Sequence, residues 1–226
     1  MRDPTTLEVT LRTLRIGGEA TLLAAVPGVP LGAALGLGRF RGRRAALAVF
    51  NAGLRLPPVA VGHGLWLLMW PSSAYGGGPL AGLGWIYTLD AVILAQAVLA
   101  LPILVALTSA AVQAVPVGLL EQARAFGARR RSVAALALRE ARTGVLAGLV
   151  AALGTAMASI GAVLVVGSQV NASTLPSAAL SAYDNGGQNH RALVLGTTML
   201  ALFAVVAAAL TLLQHGTRPR WLPVRS

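Results

Sequence analysis

The sequence contains no lysine and no cysteine. Without lysine there can be no G-x-x-x-x-G-K-[ST] phosphate loop, so any ATP that drives this protein is bound by another chain. Without cysteine there is neither a disulfide nor a thiolate metal site. Charged residues make up 11% of the 226 positions and aromatic residues 5%, whereas an ordinary soluble domain is about one quarter charged. The three histidines, His63, His190 and His215, fall in different blocks, and no H-x-x-x-H or paired carboxylate accompanies them. No catalytic residue, metal ligand or cofactor is expected on these grounds. Ser159 precedes Ile160 and Gly161, but Met157 stands where a G-x-S-x-G nucleophile turn needs its first glycine, so an intramembrane serine protease lacks its residues.

What the chain does have is apolar length. Its mean hydropathy is +0.72, and hydrophobic blocks of about 20 residues recur, each long enough to cross a bilayer. The fold class that follows is all-α, one polytopic membrane domain over residues 1–226 with about five transmembrane helices. The net charge of +11 comes wholly from arginine. These arginines cluster in loops beside hydrophobic blocks, which fits membrane orientation better than nucleic-acid binding. Residues Met1 to Arg15 mix charges of both signs without a short apolar core, and no removable signal peptide is expected there.

In chain order, Thr5 to Arg15 reads as a short amphipathic surface helix, followed by a first block from about Ile16 to Gly38 with Pro27 and Pro30 inside it. Gly32 and Gly36 form a G-x-x-x-G suited to close helix packing, and Glu19 reads as interfacial. The Arg39 to Arg44 loop is then cytoplasmic by the positive-inside rule. A second block, Ala45 to Trp70, is broken by Pro57 and Pro58, so that Ala46 to Leu56 lies along the interface and Val59 to Trp70 crosses. Arg55 either snorkels to headgroups or faces a pore and attracts anions. Trp66, Trp70, Trp85 and Tyr87 around an uncharged loop mark the external interface. The third block, Leu89 to Val115, starts from Thr88 as N-cap with Asp90 in its first turn. Its Gln96 needs a partner, either another helix or the pore. The fourth block, Thr143 to Val166, is rich in small residues and belongs in the middle of a bundle or at a dimer axis. Thr174 caps Leu175 to Tyr183, Asp184 to Gly187 turns the chain, and a fifth block runs from Leu193 to Leu213. Parity then puts the N-terminus outside and the basic Arg218 to Trp221 tail inside.

Between the third and fourth blocks lies a dense polar island, Glu121 Gln122 Ala123 Arg124 Ala125 Phe126 Gly127 Ala128 Arg129 Arg130 Arg131, running to Arg139 Glu140 Ala141 Arg142. Its pattern is helix from Leu119 to Phe126, a break at Gly127, and helix again from Ser132 to Leu138. Arginines at this density do not lie in lipid, where each costs roughly 2.5–3.5 kcal/mol at the centre. The island therefore forms a compact knob facing water or a partner.

The spacing of Glu121, Ala123 and Gly127 resembles the E-A-A-x-x-x-G signature in the last cytoplasmic loop of ABC importer permeases. Gln122 replaces the first of the two small residues, and Ala137, Arg139 and Glu140 stand where the general pattern has I-x-L-P. Further segments resemble the tungstate and molybdate type of these permeases: Leu31 to Arg44, Leu56 to Gly62, Leu94 to Gln96 through Pro102, Gly161 to Gly167 with Ser168 to Val170, Thr174 Leu175 with Gly187, and Arg139 to Arg142. The likeness spans nearly the whole chain. One departure bears on substrate, since the Arg and Glu usual in oxyanion permeases are here Thr155 and Ser159. If both members of an ion pair go together, no unpaired charge remains.

The resemblance implies a permease subunit of a binding-protein-dependent importer in the cytoplasmic membrane. Glu121, Gln122, Ala123, Phe126, Gly127 and Ala128 would couple it to an ATPase dimer. The pore candidates are Arg55, Pro57, Pro58, Gln96, Thr155, Ser159 and Gly161. The implied partners are two ATP-binding subunits, an extracytoplasmic solute-binding protein, a second permease copy and the lipid bilayer, with no nucleic acid. Tungstate is the expected cargo, with molybdate or another small solute as the alternative. A channel or scaffold without ATP coupling would share the hydrophobic blocks but has no use for the knob.

Overall fold

The computed structural model describes residues 5–38, 40–71, 77–167, 174–184 and 189–216, and within them the regular structure is helical. In chain order the helices are α1 Thr6–Leu37, α2 Arg43–Gly53, α3 Pro58–Met69, α4 Leu89–Gln113, α5 Val117–Ala125, α6 Arg130–Glu140, α7 Arg142–Ala158, α8 Gly161–Val166, α9 Leu175–Asp184 and α10 Asn189–Gly216. Three of them, α1, α4 and α10, are long and apolar enough to cross a membrane. Two bent pairs, α2 with α3 and α6 with α7, bring the spans to five if each pair counts as one.

Helix α1 differs from its sequence reading. The surface helix and the first span are one continuous helix, begun by a capping box in which the Thr5 and Glu8 side chains each accept from the other's backbone N–H. The reason lies in its buried stripe. Val9, Thr13, Ile16, Ala20 and Ala24 recur at three- and four-residue steps without interruption, so the face that packs in the bundle continues through the amphipathic segment. Thr13 Oγ1 donates to the Val9 carbonyl and accepts from Leu175 N–H at 2.8 Å, which ties this extension to the start of α9. Val9, Leu175, Ala178 and Leu195 form a small apolar cluster around the tie. Glu19 pairs with Arg15 at 2.8 Å one turn away.

The centre of the bundle is α4, which packs chiefly on α1 and α7. Glycines set the α1 contact. A Cβ at Gly28 would lie 3.0 Å from Leu104 Cβ, one at Gly32 2.6 Å from Thr108 Cβ, and one at Gly36 2.8 Å from Val112 Cβ. The partners advance with the glycines, so α1 and α4 run parallel, with their backbones brought together by three small residues in series. Helix α7 runs the other way, with Gly148 against Leu107 and Gly144 against Ala111. The knob and the Arg41 to Arg44 loop, which follow α4 and α1, therefore share one end of the bundle. At the other end Trp66 stacks on Trp70 with centroids 4.5 Å apart, and Trp66 Nε1–H donates to the Tyr87 hydroxyl.

The double proline breaks the second block as expected, and α2 and α3 meet at 103°, but α2 does not lie along an interface as the sequence reading had it: its Gly53 end reaches Pro102 in the middle of α4. The fourth block, read as one helix, is interrupted at Ser159 and Ile160, between α7 and α8. Thr88 caps α4 by accepting from Ala91 N–H. Thr174 lies at the start of α9, where its N–H donates to Ser177 Oγ at 2.9 Å. Residues 168–170, 185–187 and 218–221, which carried parts of the sequence reading, fall outside the described residues, as does Arg39.

Candidate functional site: a polar knob and two apposed breaks

The knob is a helix, a left-handed turn and a second helix. Helix α5 starts after Pro116 and holds a single buried residue, Leu120. It ends at Gly127, whose φ is +80°. Gly127 N–H donates to the Arg124 carbonyl at 2.9 Å and Ala128 N–H to the Ala123 carbonyl at 3.0 Å. This pair of bonds is a Schellman motif, and it needs at its C′ position a residue without a Cβ penalty. Ala123 and Ala128 are half-buried in a cluster with Leu120, Val133, Ala137 and Ala141, which seats the knob on the ends of α1 and α4. Glu121, Gln122 and Phe126 point outward, and Phe126 is 90% exposed. All six knob residues singled out in the sequence thus form one motif, with its apolar tip bare.

Arg43, not singled out from sequence, anchors the neighbouring loop by donating from Nε to the Leu35 carbonyl at 2.6 Å. The signal was available: the last carbonyls of a helix lack intrahelical partners, and a basic residue just beyond can serve them.

The second group of residues gathers at mid-span. A Cβ at Gly53 would sit 2.8 Å from Pro102, in the middle of α4. The chain then turns through Leu54 to Pro57 and starts α3. A Cβ at Gly161 would lie 2.5 Å from Val59 Cγ2 and 2.9 Å from Val59 N, and one at Gly62 would lie 3.1 Å from Ala162 Cα. The break between α2 and α3 therefore abuts the break between α7 and α8, with Val59, which follows Pro58, against Gly161. Arg55 and Pro57 are exposed, Pro58 and Gly161 are half-buried, and Ser159 is buried.

Gln96 departs from the sequence reading. It is 1% exposed, yet neither Nε2 nor Oε1 has a hydrogen-bond partner, so the expected helix-to-helix bond is not made among the described residues. Ser159 Oγ is likewise buried without a partner. Thr155 bonds within its own helix, donating to the Ala151 carbonyl at 2.9 Å. No group of three or more potential metal ligands occurs among the described residues.

The chain is 34% identical over 208 residues to a probable anion ABC transporter permease protein of Haloferax volcanii, covering 89% of this chain and 88% of that protein. It is 26% identical to the tungstate uptake system permease protein TupB of Peptoclostridium acidaminophilum, over 94% of this chain and 92% of that one. A probable molybdenum ABC transporter permease protein of Haloferax volcanii is 36% identical over 65% of this chain and 54% of its own length. Among solved structures, a chain of the MetNI methionine ABC transporter superposes with a TM-score of 0.75 over 96% of this chain and all of that one, at 22% identity. Residues 28–219 match the family described as the binding-protein-dependent transport system inner membrane component, and the chain belongs to that family, as a membrane-spanning permease subunit of ABC importers.

Proposed function

We propose that this permease imports a tetrahedral oxyanion, tungstate foremost, as a homodimer served by two separate ATPase subunits and an external binding protein. The observation that carries the coupling half of this reading is the Schellman-turned knob. It is rigid at its base through Ala123 and Ala128 and bare at Phe126, which suits a helix that inserts into a groove of a partner. Closure of the ATPase pair on ATP would draw two such knobs together. The parallel α1 and α4, locked by their glycines, would transmit that motion to the breaks at mid-span. The knob and Arg-rich loop face the cytoplasm in this reading, and the N-terminus lies outside.

The oxyanion is supported by the relatives, whose names specify an anion, tungstate and molybdenum. Deleting the gene is expected to lower cellular tungsten at trace tungstate more than it lowers molybdenum. Unchanged uptake of both metals would discard the oxyanion and leave an importer of another solute. Recovery of the purified permease without any ATPase would favour an uncoupled channel.

A further inference from the structure

The helix register puts Arg55 level with the middle of α4. Gly53 abuts Pro102, and Val59 abuts Gly161. The antiparallel register of α4 and α7, fixed by Gly148 on Leu107 and Gly144 on Ala111, sets residue 161 level with about residue 94 of α4. Arg55 falls between those two levels. At 1.5 Å per residue that is about 14 Å from the Leu89 end of α4 and about 22 Å from its Gln113 end. The hydrocarbon layer is about 30 Å thick, so a layer centred on α4 has the Arg55 backbone near its middle.

It is also unneutralised. Among the described residues the Arg55 side chain has no ion pair or hydrogen bond. The carboxylates of Glu8, Asp90 and Asp184 lie at helix ends, Glu19 is paired with Arg15, and Glu121 and Glu140 belong to the knob region. Pro57 and Pro58 carry no N–H, so the start of α3 adds few donors and the charge of the elbow is that of the side chain. A lipid-facing arginine at this depth costs roughly 2.5–3.5 kcal/mol. Intramembrane charges accordingly face a bundle interior or a water-filled cavity.

The surface around it agrees. Helix α2 buries none of its eleven residues. Arg44 and Asn51 lie seven residues apart on one face of α2, and Arg55 follows in the turn just past its end, where its N–H donates to the Ala52 carbonyl at 3.0 Å. All three are exposed, as is His63 beyond the elbow. They are polar positions among exposed apolar side chains, Val49, Leu54, Leu56 and Val59, on a face that the single chain leaves uncovered and a second copy can share.

We infer that Arg55 from each of two copies forms a transient dianion site midway across the membrane. The inference rests on the homodimeric oxyanion permease proposed above. Two-fold symmetry doubles every side chain on a shared path, and two guanidiniums carry the charge that a doubly negative tetrahedral oxyanion neutralises. The guanidinium fork suits two adjacent oxygens of such an ion. Empty, the two like charges repel each other, so the site prefers to be occupied. The same balance disfavours neutral and zwitterionic solutes.

The lack of cysteine in the chain permits a test in which folding precedes the change of charge. Arg55→Cys permease is assembled with its ATPase and binding protein in proteoliposomes, and ATP-driven uptake of labelled tungstate is measured. Uptake is expected to fall at least tenfold. Modification with a cationic methanethiosulfonate should then raise it at least threefold, while an anionic one should not. Arg55→Lys, which keeps the charge in place, should transport at least threefold better than Arg55→Gln. Parent-like uptake by Arg55→Cys, equal response to the two reagents, or equal uptake by the Lys and Gln variants would overturn the site. Absence of tungstate uptake by the parent complex would instead refute the oxyanion reading itself.

Discussion

Replacing Phe126 by alanine separates docking from folding because the side chain contributes to one and not the other. Phe126 is 90% exposed, and the turn that positions it is held by backbone bonds from Gly127 and Ala128. Its loss should change the stability of the permease by no more than about 0.5 kcal/mol, as at other surface sites. If the ring enters an apolar groove of the ATPase, the variant forfeits burial worth about 1.5–3 kcal/mol. At 1.4 kcal/mol per tenfold, that is a weakening of roughly 10- to 150-fold for each knob. The assay is titration of purified ATPase against the permease in nanodiscs, with thermal unfolding measured on the same samples. Affinity within threefold of the parent at unchanged Tm would refute the docking role. A Tm lowered by several degrees would show instead that the ring supports the fold.

Gly127→Val is expected to reduce ATPase co-purification and uncouple hydrolysis, because a side chain at φ +80° is strained by about 1–2 kcal/mol. No atom lies within 4 Å of the added Cβ, so strain is the whole effect in the free permease and Gly127→Asn should be milder; parent-like hydrolysis by the valine variant would reduce the knob to a solvated loop. In intact cells, cysteine at the exposed knob position Gln122 should resist an impermeant thiol reagent, whereas cysteine at the exposed Gly82, in the loop before α4, should react, and the reverse pattern would invert the topology. Gly161→Ala should lower the Tm, since its Cβ would press on Val59 and overpacking costs about 1–3 kcal/mol; an unchanged Tm would mean that the two breaks are not in contact. Gln96→Leu should raise the Tm, because it removes a buried amide without a partner among the described residues, a group whose burial costs about 1–3 kcal/mol; a drop would point to a partner for that amide.

The features legible in the sequence are those written in local chemistry. The turn at Gly127 needed only a glycine between two helix-forming stretches, and the knob's two helices follow from it. The elbow at Pro57 and Pro58 needed only two missing N–H groups in succession. Thr88 announced the start of α4 through its hydroxyl and the Asp90 that follows. Arginine counts in the loops agree with the parallel course of α1 and α4 because both depend on the number of crossings.

The features that escaped depend on what lies across the bundle. Nothing between Thr5 and Ile16 shows that α9 will cover that segment, so its amphipathic pattern read as a surface helix, whereas Thr13 holds Leu175 from 162 positions away. The interruption at Ser159 and Ile160 carries no proline and reads locally as apolar helix. It becomes intelligible only from the other side, because Gly161 must admit the backbone of Val59 at the start of α3. The same register sets Ser159 level with Gln96 on α4, and these two side chains contribute three of the four buried side-chain atoms that lack a partner among the described residues. Unsatisfied polar groups in an apolar layer are expensive, and irregular backbone at membrane depth is tolerated where protein or water receives it. Their meeting at one level, beside an elbow that carries an unpaired arginine, is difficult to reconcile with a bundle evolved only for packing. Broken helices meeting at mid-membrane are a recurrent setting for transport sites, and the import proposed above would use this one.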